Sequence, residues 1–326
     1  MRIFLTGATG FIGGGVASRL IERGDQVVAL VRTPSSASGL SELGCEIVAG
    51  DLGDREAIHK AVKGADAVIH CAAIYEVGIA SDQRSAMQSA NVDGTVEVLS
   101  EALAAGVSKT VYVSTCGVFG NTHGKVVDES YEHPDDGFTS CYEETKVLAH
   151  RAALDLQAAG LPLVIVQPGG VYGPKDHSAL GEVIRKFAKH QLPAMLFPDL
   201  GMTLVHRDDV VDGILLALDR GKVGEAYVLG GEIQTMRGLI STEARLLGRR
   251  APKLTIPAGF IRALNPIGRI VGPLLGTGPN LAELADSGDR VTFWATSEKA
   301  ERELGYRPRD LEEGLRQTLA AEGLLK

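Results

Sequence analysis

The sequence predicts an α/β chain built on a doubly wound parallel sheet, with a smaller C-terminal part partly interleaved with it. Three observations carry this. Short β-branched and aliphatic runs at 3–5, 27–31, 45–49, 67–70, 110–114 and 163–167 are largely apolar, as strands buried on both faces tend to be. Amphipathic stretches separate them, near 11–21, 54–63, 85–105 and 140–159, and strands alternating with helices wind right-handedly into such a sheet. A glycine-rich turn also stands at the first strand-to-helix junction.

Each element follows from local chemistry. Phe11, Ile12, Val16, Leu20 and Ile21 recur at helical spacing, and Gly24 stands where a terminating glycine belongs. After Pro174 the pattern loosens. Residues 180–189 and 208–219 read as helices and 203–206 and 226–229 as strands. The stretch 252–280 is rich in Gly, Pro and aliphatics, with only Lys253, Arg262 and Arg269 charged, and is expected to be a lid or pocket wall. Asp310 and Glu313 stand in capping-box relation ahead of the last helix. We expect a nucleotide-type domain over 1–175 and a smaller substrate domain over 176–326.

Composition narrows the function. A chain of 326 residues with 44% hydrophobic content can bury a large core. Lys+Arg of 33 against Asp+Glu of 41 gives a net charge of −8, so no basic footprint for nucleic acid is present. The four cysteines (Cys45, Cys71, Cys116, Cys141) are too few for a disulfide scaffold and show no CxxC spacing, so no metal is expected. Thr6-Gly7 follows Met1 too soon for a signal peptide, and no uncharged apolar run approaches the 18 residues of a membrane span. A cytoplasmic protein without an integral span is the expectation.

The first strand runs into Thr6-Gly7-Ala8-Thr9-Gly10-Phe11-Ile12-Gly13. Gly7 permits a tight turn, Gly10 a close approach of backbone to a pyrophosphate, and Gly13 close packing of helix on strand. The free N–H groups at the helix start then hold the phosphates. Strand, loop and helix occur in the order a dinucleotide site requires. After the second strand, Val31-Arg32-Thr33 offers a guanidinium where an NAD site usually places a carboxylate. This favours NADP. NAD stays open if Arg32 stacks on adenine. Asp51-Leu52 would lie beside the adenine, with Asp51 also able to cap the following helix.

Tyr142 and Lys146 form Tyr-x-x-x-Lys at a helix start and so share one face. The spacing alone is a weak signal, but the pair follows a glycine loop and a strand ending in Val113-Ser114-Thr115. The chemistry suits the residue types. A free phenol, with a pKa near 10, is a poor acid at neutral pH. An ammonium ~5 Å away at an effective dielectric of ~20 favours the phenolate by roughly 3 kcal/mol, so Lys146 is expected to acidify Tyr142.

Together these residues resemble the extended short-chain dehydrogenase/reductases, which carry a Rossmann-type sheet. The loop 6–13, Asp51-Leu52, His70-Cys71-Ala72-Ala73, Asn91, Ser114-Thr115, Tyr142/Lys146, residues 167–174, residues 205–210 and residues 296–306 occur in that family's order. The chain is most similar to the dihydroflavonol 4-reductase-like branch, which includes bacterial NAD-dependent epimerase/dehydratase proteins. The resemblance implies Thr115 as the substrate-orienting hydroxyl, preferred to Ser114 because it stands five residues before Gly120. It implies Tyr142 as acid/base, Lys146 as its partner and as a ligand of the nicotinamide ribose, and Asn91 as support for a relay water. Gly7, Thr9, Gly10, Phe11, Ile12, Gly13, Arg32, Asp51, Leu52, Ala72, Tyr142, Lys146, Pro168 and Val171 are the implied cofactor contacts. His206, Asp208 and Asp209 are expected to be structural, and the helices over 91–105 and 140–158 to pair two copies as a homodimer.

Two departures narrow the chemistry. Cys116-Gly117 follows the threonine where sugar-nucleotide dehydratases carry Asp-Glu, and Met202 stands where nucleotide-sugar members place an arginine. The expected activity is NADP(H)-dependent interconversion of a carbonyl and an alcohol on a largely apolar small molecule. The alternatives are a sugar epimerase with a tightly held cofactor and, behind it, a non-catalytic NADP sensor. Cys116 and Cys141 flank the catalytic hydroxyls in sequence and are expected to be packing residues rather than a redox pair.

Overall fold

In a computed structural model, which describes residues 1–134, 137–275 and 277–325, the chain builds a seven-stranded parallel sheet. Its strands are β1 (Arg2–Thr6), β2 (Gln26–Val31), β3 (Glu46–Ala49), β4 (Ala67–His70), β5 (Lys109–Val113) and β6 (Leu163–Pro168), with a later strand joined at the edge. Three further strands follow β6: β7 (Gly170–Tyr172), β8 (Ala194–Leu196) and β9 (Gly201–His206). The strand that rejoins the main sheet is β10 (Ala226–Leu229). The spatial order is β10-β6-β5-β4-β1-β2-β3, and every neighbouring pair is parallel. The order reverses direction between β1 and β4, the switch point where ligands bind in such sheets.

Alternate residues of each strand supply two separate cores, as a period of two dictates. Ile3, Leu5, Val27, Ala29, Ile69, Val111 and Val166 pack against Val16 and Leu20 of the helix Phe11–Glu22 and against Val210 and Ile214 of the helix Arg207–Arg220. Phe4, Val28, Leu30, Val68, Tyr112 and Ile165 face the other way. They meet Ile58, Val98, Leu99, Ala149 and Ala153 of the helices Arg55–Val62, Gly94–Ala105 and Cys141–Ala158. Three elements beyond residue 176 thus pack in this layered unit: the strand β10 and the helices Arg207–Arg220 and Glu298–Leu304, the last through Ala300 and Leu304.

The remaining strands form small sheets: β11 (Glu232–Thr235), β9 and β13 (Thr292–Phe293) with β7 joined to β9, and β8 with β12 (Leu254–Ile256). The stretch 252–280 contributes β12 and the helices Ala258–Ala263 and Gly268–Leu275; residue 276 within it lies outside the described residues. Ala258 and Ile261 pack on Phe197, Leu281 and Ala285, while Phe260, Ile267 and Ile270 are exposed.

Two local expectations change. The helix expected over 85–105 is interrupted: after Arg84–Gln88 a π segment, Ser89–Asp93, precedes Gly94–Ala105. Such insertions gather at functional sites, and this one carries Asn91. The capping box at the last helix, Leu311–Ala321, is half made. Asp310 accepts the Glu313 N–H at 2.8 Å, whereas the Glu313 carboxylate accepts from Gln317 instead of turning back.

Candidate active site

Because the main sheet is parallel, the segments that leave its strands all emerge at one edge. The sequence-selected residues follow from this. Gly7–Gly13 leave β1, Arg32 leaves β2, Asp51 and Leu52 follow β3, Ala72 follows β4, Thr115 follows β5, and Pro168 ends β6 with Val171 in β7 just beyond.

The glycine loop is built to admit a phosphate. Gly7 lies at φ 75°, and a Cβ there would stand 2.8 Å from the Ala72 nitrogen. A Cβ on Gly13 would stand 2.2 Å from the Gly7 carbonyl oxygen. Both positions therefore exclude a side chain. Gly10 caps the helix Phe11–Glu22 with no side-chain hydrogen bond, so the first-turn N–H groups are left for a ligand, the arrangement that favours an anion. These observations fit a pyridine dinucleotide. Thr9 and Gly10 are exposed, and Phe11 and Ile12 are partly buried. Arg32 is exposed and holds no ion pair among the described residues. Asp51 does not cap the next helix: its Oδ1 accepts the Gly53 N–H at 2.9 Å, and Asp54 takes the cap by accepting the Ala57 N–H at 3.0 Å. Leu52 packs so closely on the helix Gly94–Ala105 that a Cβ on Gly94 would meet it at 2.6 Å.

Ser140 caps the helix Cys141–Ala158 by accepting the Glu143 N–H at 3.1 Å, which puts Tyr142 and Lys146 in its first two turns. Thr115 Oγ1 accepts the Gly117 N–H at 3.1 Å. A Cβ on Gly117 would lie 3.4 Å from Thr115 Oγ1 and 4.0 Å from the Tyr142 ring, so the two hydroxyl-bearing side chains flank one small space. The neighbouring Ser114 is engaged elsewhere, with Oγ 2.9 Å from His150 Nδ1, and is buried.

Lys146 is 2% exposed and donates to Tyr112 Oη at 3.3 Å and to the Val113 carbonyl at 3.2 Å. Burial first, and then the Lys146 charge, push His70 down to about 3 and His150 down to about 4. Both rings are neutral at pH 7, so neither adds a second cation beside Lys146. His70 is itself tied between Thr6 Oγ1 (2.7 Å) and Thr95 Oγ1 (3.0 Å), and its ring stacks on Tyr112.

The expected acidification of Tyr142 is reversed in direction. Burial, followed by Tyr75, pushes the phenol above its ordinary value; a hydrogen bond with Thr115 pulls it back only in part. The reason is a contest of magnitudes. Desolvation of a phenolate outweighs the Thr115 hydrogen bond, while the Lys146 ammonium gives its hydrogen bonds to Tyr112 and Val113.

Asn91 is buried, and its amide is spent on the chain after β4. Oδ1 accepts the Ile74 N–H at 2.7 Å, and Nδ2 donates to the Ile74 carbonyl and to Thr145 Oγ1. Its backbone carbonyl accepts from Thr95 Oγ1 at 2.7 Å. Asp209 binds Arg309 through both oxygens, and His206 Nδ1 accepts the Asp208 N–H at the head of the helix Arg207–Arg220. Cys116 and Cys141 are buried, and Cys116 Sγ faces the Gln167 carbonyl at 3.3 Å. Met202 packs in the cluster around Tyr172 and Leu315.

Three residues near Tyr142 and Lys146 lie outside the motifs read in the sequence. Tyr75 sets its ring edge-to-face on Tyr142, with centroids 4.8 Å apart. Tyr112 receives Lys146, and Glu283 accepts the N–H of Cys141, the first residue of the Tyr142 helix. Tyr112 could have been noticed as the inward polar group of β5; the other two depend on contacts remote in sequence.

A model of the NAD dependent epimerase/dehydratase family matches residues 3–230, a span that ends at β10 and takes in every strand of the main sheet. The chain belongs to that family. Its relatives include a Synechocystis sp. protein carrying the name dihydroflavonol 4-reductase, 33% identical over 319 residues, which cover 96% of this chain and 92% of the relative. A 2-alkyl-3-oxoalkanoate reductase of Stenotrophomonas maltophilia is 31% identical, with 98% and 99% of the two chains covered. Among solved structures, that of gox2253 superimposes with a TM-score of 0.83 at 32% identity, covering 100% of this chain and 99% of that one. As an epimerase/dehydratase-family member the chain is an enzyme of the extended short-chain dehydrogenase/reductase type. Among the described residues no helix is long and apolar enough to cross a membrane.

Proposed function

We propose that the chain is an NADP(H)-preferring oxidoreductase that interconverts a carbonyl and an alcohol on a largely apolar small molecule. The observation that carries this reading is the pairing of the Thr115 hydroxyl and the Tyr142 phenol around Gly117, at the sheet edge that the glycine loop shares. Gly7, Thr9, Gly10, Phe11, Ile12 and Gly13 would hold the pyrophosphate, Asp51, Leu52 and Ala72 the adenosine side, and Pro168 and Val171 the nicotinamide. Arg32 would pair with a 2′-phosphate. Bound there, the dinucleotide supplies or accepts the hydride.

The residues then divide the remaining work. Thr115 orients the substrate oxygen. Tyr142 is held protonated by burial, the state required of a donor in the reductive direction, and it passes its proton to the oxygen as negative charge develops there. Lys146, a buried cation within one helical turn, limits the cost of the phenolate that remains. In the oxidative direction the same groups run in reverse. Asn91 holds the chain at Ile74 and so supports the wall next to Tyr142. Met202 among apolar neighbours, and a relative named as a 2-alkyl-3-oxoalkanoate reductase, support an apolar carbonyl rather than a nucleotide sugar. A homodimer through the helices Gly94–Ala105 and Cys141–Ala158, where Val96 and Leu154 are exposed, and a cytoplasmic location belong to the same proposal.

The test is a panel of hydrophobic aldehydes and ketones assayed with NADPH and with NADH by loss of nicotinamide absorbance. The proposal expects net cofactor oxidation, faster with NADPH. Inversion of a sugar centre without net cofactor oxidation would establish the epimerase instead.

A further inference from the structure

Glu283 lies in the helix Leu281–Gly288 and is 8% exposed. Its Oε1 accepts two backbone N–H groups from separate parts of the chain, Gly78 at 3.1 Å and Cys141 at 3.3 Å. Oε2 accepts from Asn280 Nδ2 at 3.2 Å and faces the Arg84 guanidinium at 3.7 Å. Cys141 is the first residue of the catalytic helix, and its N–H has no partner within the helix; the Ser140 cap is already used on Glu143. Gly78 closes the loop after β4, and its carbonyl accepts the Asn280 N–H at 2.8 Å. The other end of that loop, Ile74, is fastened by the Asn91 amide. Between the two fastenings stands Tyr75, edge-on against Tyr142.

We infer that Glu283 is a positioning residue for the reaction: its single carboxylate fixes the Tyr75 loop and the first turn of the Tyr142 helix to one C-terminal helix. The mutual placement of the two tyrosines is thereby set by a residue 142 positions beyond the catalytic helix start. The inference rests on the proposed role of Tyr142. A bare packing role does not account for it, because both backbone groups bound by Oε1 belong to the two segments that carry the paired rings.

The experiment compares Glu283→Ala, Glu283→Asp and Glu283→Gln in the full chain, with kcat and KM for the best carbonyl substrate and Kd for NADPH. Glu283→Ala is expected to lower kcat about 10- to 100-fold, the scale of an ångström-sized misplacement, and to raise KM, with NADPH Kd within twofold of wild type. Glu283→Gln keeps an acceptor oxygen in place and recovers most of kcat. Where Glu283→Ala does not fold, Glu283→Asp, which keeps the charge and shortens the arm, is expected to show the same loss. Wild-type kcat and KM in Glu283→Ala or Glu283→Asp overturns the inference, as does a Glu283→Gln no better than its partner variant. A Tyr142→Phe control separates the two readings. An inactive Tyr142→Phe beside an unimpaired Glu283 variant sinks the positioning role alone, whereas a fully active Tyr142→Phe sinks the assignment beneath it.

Discussion

Two buried ionisable side chains are treated in opposite ways. Lys146 is 2% exposed at the carboxyl edge of the sheet, and two oxygens receive its ammonium. Glu243 is fully buried in the helix Met236–Leu246, and neither carboxyl oxygen has a hydrogen-bond partner among the described residues. Burial pushes Glu243 up to about 8, against a partial pull from Arg249, so the fold keeps it as a neutral acid at pH 7. A buried charge survives where partners are built for it; elsewhere the group gives up its charge. The contrast separates a buried ionisable group set at the proposed site from one that merely sits in a core.

The contrast can be broken first at Lys146. Lys146→Met removes the cation beside Tyr142, and kcat should fall by about 10² to 10⁴, the range of a lost acid/base function, with weaker NADPH binding by titration. A kcat within threefold of wild type would make Lys146 as incidental as Glu243. The second test acts on Glu243. Its raised value means the folded chain holds a proton that the unfolded chain has lost between pH 4.5 and 8, so stability falls as pH rises through that window. Glu243→Gln should abolish this slope and gain about 4 kcal/mol at pH 8, with little difference at pH 4.5, by urea denaturation at both pH values. Parallel pH curves for the two proteins would contradict it.

Arg32 extends the comparison to a charge left in solvent. Arg32→Glu should reduce the NADPH-over-NADH ratio of kcat/KM by about tenfold or more, the worth of one charge-assisted contact; an unchanged ratio would remove Arg32 from the site. The smallest effect is expected at Tyr112→Phe, which deletes one of the two partners of Lys146. A loss of about threefold to tenfold in kcat/KM is expected, and an identical rate would show that the Val113 carbonyl alone holds the ammonium.

What was legible in the sequence follows the range of the interactions. The strands β1, β2 and β4 to β6 are visible because burial on both faces makes them largely apolar runs, whereas the edge strand β3, with Glu46 and Ala49 exposed, shows only a short one. The glycine loop is visible because only glycine fits at Gly7 and Gly13. Residues 226–229 read as a strand, but their seat beside β6 is a long-range pairing with no local signature. The π segment at Ser89–Asp93 escapes because one extra residue in a helical turn leaves the apolar spacing almost intact, while the Asn91–Ile74 bonds at that segment are made to another loop. Thr115 was separable from Ser114 only through its distance from Gly120; the geometry adds that Ser114 is bound to His150. Tyr75 and Glu283 reach the site through contacts between segments far apart in sequence, which no spacing rule reports.

The central claim is that the Tyr142 phenol gives and takes the substrate proton. The most direct measurement is single-turnover reduction by Tyr142→Phe with NADPH pre-bound at saturating concentration, followed by absorbance. A rate lowered by about 10³ is expected, with NADPH Kd within threefold of wild type. An undiminished rate in the folded, cofactor-loaded variant would contradict it.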